Sequence, residues 1–265
     1  MNRSHHEREL KQLISKEQRF LAKRRSKKES VINRFLADKV PEKLQSSINT
    51  AFSKAFALIF DKGTQLIELT YKKEELEKDF QVDLYSARIR GTRKSLKKLS
   101  TKADVSGGIN LAVSGVSGIG MGLLGMGLPD IPVFTGMILR CVYETAIRYG
   151  VNYETEEEKY FILLIIEGAV SYGKHLEDVN GRIDKFIENP TLPDNYNRTE
   201  RILSTSRMLS TELLYMKFLQ GVPIVGAVGG AYDVIYMNSI SQYARMKYKK
   251  RFLMGYGSEI TIGSL

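Results

Sequence analysis

Asp130, Arg140 and Glu144 are the residues whose types and spacing come nearest to an active site. Arg140 and Glu144 stand one helical turn apart, and Asp130 follows a glycine-rich turn. Two carboxylates and a guanidinium are the parts of a hydrolase-like acid-base site, with the arginine orienting the acids or holding an anion. Such chemistry needs the carboxylates in different environments, so that one holds a proton while the other does not. The competing reading is structural. Charges beside apolar helices, which include Asp233 further on, are costly unless paired, and ion-pair networks mimic functional sites. Structural pairing is favoured here, and the chain reads as non-enzymatic.

Other chemistries lack their residues. His5 and His6 lie in a charged N-terminal stretch and His175 stands alone, without the spacing of a helical metal site, so neither a metal nor a cofactor is expected. Ser114-Gly115-Val116-Ser117-Gly118 begins with Ser where a nucleophile elbow requires Gly. Cys141, the one cysteine, falls on an apolar helix face and reads as a small core residue. The glycines neither follow a strand nor end in the Gly-Lys-Ser/Thr of a phosphate loop.

The elements that would position these groups begin with an uncharged, glycine-laced run from Val105 to Leu128. About twenty uncharged residues suffice for a membrane-crossing helix, but the glycines strip out apolar area and leave the run weakly hydrophobic. Ser114, Gly118 and Gly122 repeat every fourth residue, a row of small side chains that admits a partner helix at close range. A second apolar stretch carries the same spacing at Gly226 and Gly230, so the two are expected to pack on each other. The alternative is a lipid-inserting hairpin of the two.

Lys and Arg number 40 against 30 Asp and Glu, a net charge of +10, which points to an anionic partner. The most basic stretch contains Lys23, Arg24, Arg25, Lys27 and Lys28, with Leu10, Leu13, Ile14, Phe20 and Leu21 thinly placed before them at helical spacing. A basic amphipathic helix rests on an anionic membrane with its apolar face in the interface, whereas the plainer reading is a solvated arm. Arg93, Lys94, Lys97 and Lys98 form a second cationic flank, just before the glycine run. Nucleic acid is a poor fit, because no aromatic residues interleave with these cations. The expected partner is an anionic membrane surface or a membrane-protein complex, and the expected place is the cytoplasm, peripheral on the inner face of the cell membrane.

Helical periodicity runs through most of the chain. Residues 1–40 read as a basic arm, 41–255 as one helical domain and 256–265 as a loose tail. A helix from Pro41 is expected to stop near Gly63, and another helical region to run from Thr64 to Leu99. The helix after Pro132 should be capped by Gly150. Thr155 with Glu158 forms a capping box opening the very apolar YFILLIIEGAV, which is too short for a span and reads as core. His175 to Asn197 reads as irregular, and Thr199 to Leu219 as helix. The cations Arg245, Lys247, Lys249, Lys250 and Arg251 are expected at a helix C-terminus, where the dipole favours them. The fold class is therefore all-α, a compact multi-helix domain with two glycine-rich apolar central helices and a basic N-terminal helical arm.

In that order the chain resembles the EcsC family. The resemblance rests on Leu128-Pro129-Asp130-Ile131-Pro132 after the glycines, Leu139-Arg140, Tyr149-Gly150, the acidic turn before YFILLIIEGA, Val222-Pro223-Ile224-Val225-Gly226-Ala227, Tyr248 and Arg251-Phe252-Leu253. It covers roughly Pro41 to Leu253, and no single motif in it is diagnostic. It implies a mostly helical bacterial protein, encoded in some genomes beside an ATP-binding-cassette exporter, and it implies no particular reaction.

Overall fold

The computed structural model describes residues 3–25, 40–69, 71–90, 130–219 and 231–262. All regular elements among the described residues are helical. The two small-residue rows, with Ser114, Gly118, Gly122, Gly226 and Gly230, lie outside the described residues, as do Lys27, Lys28, Arg93, Lys94, Lys97 and Lys98.

The chain opens with α1, Arg3–Arg25. After Pro41 comes α2, Glu42–Leu58, which buries Ile48, Phe52, Ala55 and Phe56. The expected stop at Gly63 is bridged. A wider π-type turn, Ile59–Gly63, leads directly into the short α3, Thr64–Glu68. Phe60 and Ile67 are buried on either side of the glycine, and their packing outweighs the roughly 1 kcal/mol that a helical glycine costs. Leu69, Tyr71 and Lys72 lie outside the helices, and α4 spans Lys73–Arg90.

Helix α5, Asp130–Arg148, carries Pro132 in its first turn, where no intrahelical N–H is needed. It ends as its glycine foretells. Gly150 takes φ +72°, its N–H reaches the Ile147 carbonyl, and the Val151 N–H reaches the Ala146 carbonyl at 3.0 Å. That closes the last turn. Thr155 then caps α6, Glu156–Val170, by accepting the Glu158 N–H at 3.2 Å. From Phe161 to Ile166 every side chain of α6 is fully buried.

Where an irregular stretch is expected, the structure has α7, Gly173–Glu188. Leu176, Val179, Ile183, Phe186 and Ile187 form a buried stripe, and Gly181 sits on the exposed side with no neighbour for a Cβ to meet. Burial of the stripe exceeds the cost of that glycine. The irregular part is confined to 189–197. Asn197 accepts the Glu200 N–H at 3.1 Å at the start of α8, Arg198–Leu219. The last helix, α9, Ala231–Ile262, runs on through Gly255 and Gly257 into the segment expected to trail as a tail.

Helix α6 is the axis of the core, flanked by α7, α8 and α9. Helix α2 packs on α8 and α5, α4 packs on α5, and α1 lies against α9 and α7.

Candidate functional site

The three candidate acid-base residues do not converge. Asp130 opens α5 and Glu144 lies fourteen residues along the same helix, which at 1.5 Å per residue separates their backbones by about 21 Å. Arg140 donates through Nε to Glu144 Oε1 at 2.8 Å, with both side chains largely buried. The Tyr71 ring lies 6.0 Å from the guanidinium carbon. This is a closed ion pair within α5, lying against the turn that precedes α4. Cys141, next to it, is buried, and that burial pushes its thiol up to about 11.

Two further buried polar clusters join helices distant in sequence, and a third, part-exposed, joins α3 and the start of α4 to the loop before α6. In α6, Glu167 is fully buried and pairs with Arg201 of α8. It also meets His175 Nε2 at 2.9 Å and accepts from Ser204 at 3.3 Å and Thr205 at 3.4 Å. Burial lowers the Arg201 guanidinium to about 10. One turn into α6, Glu158 does not fold back to complete the expected capping box. It accepts instead from Tyr248 at 2.5 Å and from Arg251 at 2.6 Å. Desolvation raises its pKa above the usual carboxylate value, against the opposing pull of Arg251 and Tyr248. Near the α4 start, Tyr153 donates to Glu68 and shares a 2.9 Å hydrogen bond with Tyr71, while Lys73 binds Glu68 at 3.0 Å and Glu154 at 2.9 Å. Each of these carboxylates is occupied by cations and hydroxyls of its own chain. Among the described residues no group of three or more His, Cys, Asp or Glu is placed to hold a metal ion.

Helix α1 sorts its charges. Its inner side, at spacings of three and four, is His6, Glu9, Leu13, Glu17, Phe20 and Arg24. Leu13 is buried, and Leu10 and Phe20 pack against the core, so most of the apolar side faces the bundle, while Ile14 is exposed. The inner charges are all engaged. Glu17 pairs with the fully buried Lys247 and, at 3.0 Å, with Lys250, while Asp184 of α7 holds both lysines, at 2.8 and 3.0 Å. Glu9 pairs with Lys249 at 3.2 Å, and His6 Nε2 lies 2.5 Å from the Leu253 carbonyl oxygen. Arg24 turns inward to donate to the Ala169 carbonyl and the Ser239 hydroxyl. Lys247, Lys249, Lys250 and Arg251 are thus matched by carboxylates in the middle of α9, not gathered at its end.

The outer side of α1 is what remains. Arg8, Lys11, Lys16, Arg19, Lys23 and Arg25 are exposed there, with Glu7 the lone exposed carboxylate of the helix. Arg25 also reaches Glu177 at 2.7 Å across an exposed surface. Among the described residues no helix is long and apolar enough to cross a membrane.

Architecture and site together define an all-α protein with one continuous core, internally paired polar clusters and a cationic outer helix face. The chain belongs to the EcsC protein family, whose profile it matches over residues 4–253. The match takes in α1 as well as the helices from Pro41 onward. Comparison with curated proteins and with solved structures gave no match.

Proposed function

We propose that this protein docks peripherally, without catalysing a reaction, on the anionic cytoplasmic face of the membrane or on a membrane complex such as an ATP-binding-cassette exporter seated there. The observation that carries the reading is the charge sorting on α1. Two of its three carboxylates turn into the bundle, and six of its cations stay outside. Cations near an anionic bilayer each contribute on the order of 1 kcal/mol, and the attraction fades within a Debye length. Since Leu13 and Phe20 are held by the core, the docking is electrostatic and needs no insertion of α1.

Sedimentation of the full chain with vesicles tests this. Binding to phosphatidylglycerol-containing vesicles should be strong at low salt and absent with phosphatidylcholine alone. The triple variant Arg8→Gln/Arg19→Gln/Lys23→Gln should bind about 100-fold more weakly, at about 1 kcal/mol per cation. Equal binding to neutral vesicles, or an unaffected triple variant, would overturn the reading.

A further inference from the structure

Helix α4 packs on α5 along one side and leaves its other side exposed. On that exposed side Val82 and Tyr85 stand one turn apart with 66 % and 68 % of their surface in solvent, and Lys78 and Gln81 extend the same stripe toward the helix start. Exposed apolar residues standing singly are ordinary, but these two continue an apolar groove. The groove, of about 710 Å³, opens between α4 and the turn at 150–154. Phe80, Ile147, Val151 and Tyr153 give it an apolar floor, and Val82 stands in its wall. Gly150 makes room for that floor, since a Cβ there would collide with the Phe80 ring, which meets Phe252 of α9 edge-on.

The rim is acidic once its internal pairs are counted. Lys73 divides one positive charge between Glu154 at 2.9 Å and Glu68 at 3.0 Å, which leaves one negative charge over. Lys78 reaches Glu74 at 3.9 Å with both side chains almost wholly in solvent. Such a pair holds little energy and yields readily to a competing cation. Glu77, exposed and part of the same lining, has no ion-pair partner among the described residues. Two negative charges in excess thus border an apolar floor, in a chain whose net charge is +10.

We infer that this groove is a docking site for a basic amphipathic helix in the cytoplasmic segment of a membrane protein. The floor and the Val82–Tyr85 stripe take the apolar face of such a helix, and the carboxylates meet its Lys and Arg. The same carboxylates repel anionic lipid, so this face and the cationic face of α1 suit different partners. Cytoplasmic segments of membrane proteins carry an excess of Lys and Arg close to the bilayer, and a protein held at that surface by α1 meets segments of this kind. The location of the partner rests on the docking reading, and the chemistry of the groove stands apart from it.

The chain has no Trp, so a peptide carrying one reports binding without background. The probe is a Leu/Lys amphipathic helical peptide with a single Trp on its apolar face, added to the full chain without lipid. Its emission should shift to the blue on binding the wild type, and the binding should weaken as salt rises. A scrambled peptide of the same composition, and a Leu/Glu peptide with the same apolar face, should bind more than about tenfold more weakly. Val82→Ser/Tyr85→Ser, a change at two exposed positions, should weaken the Leu/Lys peptide about 30-fold, the loss of an interface hot spot. Ile14→Ser, a like change on the exposed side of α1, should leave it unaffected. Glu77→Gln should weaken it about threefold and flatten the salt dependence. Failure of the wild type to bind the Leu/Lys peptide, or undiminished binding by Val82→Ser/Tyr85→Ser, overturns the site. So does self-association of the wild type that the double variant abolishes and the peptide does not displace, which makes the occupant a second copy. Loss of binding to phosphatidylglycerol vesicles in the double variant makes the occupant lipid and overturns it as well. Peptide binding by a wild type that ignores anionic vesicles would end the docking reading and leave the groove standing, and vesicle binding without peptide binding would do the opposite.

Discussion

Gly168 of α6 and Gly181 of α7 are both helix-interior glycines, and their surroundings give them opposite roles. A Cβ on Gly168 would come within 2.8 Å of Cε1 of Tyr243, a fully buried ring. That ring stacks on Phe20 of α1 at 5.1 Å, and its hydroxyl donates to Asn180 Oδ1 of α7 at 2.8 Å. It has no free direction in which to retreat. Overpacking of this kind costs about 1–3 kcal/mol, and the better helix propensity of alanine returns about 1 of it. Gly168→Ala should therefore lower the unfolding free energy by up to about 2 kcal/mol. Gly181→Ala meets nothing within 4 Å and should raise it by about 0.5–1 kcal/mol. Urea unfolding of the two variants beside the wild type reads both signs, and a stabilised Gly168→Ala would contradict the packing described for Tyr243.

At the scale of elements, α1 is held largely by charge, and that fixes how it responds to substitution and to pH. Glu17→Gln leaves the fully buried Lys247 with Asp184 as its remaining carboxylate partner. Removing one partner of a buried pair costs about 3–5 kcal/mol, and the retained amide oxygen softens that to about 2–3. The loss should appear as earlier proteolysis within α1. Lys250 sets the alkaline limit. Burial lowers its pKa, but Glu17 and Asp184 raise it by more, to a net value above the ordinary 10.5. A raised lysine pKa stabilises the fold fully below the unfolded value, and the contribution is lost as pH rises through the folded one. The gap in stability between wild type and Glu17→Gln should hold steady through neutral pH and narrow above about pH 10.5. Those pairings were not legible in the sequence, because Glu17 and Lys247 are joined by topology alone. The local signals were legible: Gly150 ended α5, Thr155 opened α6, and the unbroken apolar run of YFILLIIEGAV marked the central helix. Helix α7 was obscured because Gly181 and Gly173 weigh against a helix in a local reading, while the stripe of Leu176, Val179, Ile183 and Phe186 takes its value from partners elsewhere. For the candidate site the same division holds. The pairing of Arg140 with Glu144 follows from their spacing, and the inward turn of Glu9, Glu17 and Arg24 does not.

Taken as a whole molecule, the protein offers a way to tell docking on a surface from insertion into it. Cys141 lies in α5 at 1 % exposure, facing the core, and burial has pushed its thiol up to about 11. Only the thiolate reacts with disulfide reagents or iodoacetamide, so the native thiol is protected twice, by access and by protonation. Labelling near pH 8 should therefore follow opening of the bundle and track its stability, with Gly168→Ala labelling faster and Gly181→Ala slower. If the outer face of α1 meets the membrane while its inner face stays on α9 and α7, the core is not breached. Saturating the protein with phosphatidylglycerol vesicles should then leave the labelling rate unchanged or reduce it, since a ligand that binds only the folded form stabilises it by mass action. Insertion of core helices into lipid predicts the reverse, because α5 packs on α9 and cannot stay sealed while its neighbours leave. A labelling rate that climbs with vesicle concentration would replace electrostatic docking by a membrane-driven opening of the helical bundle.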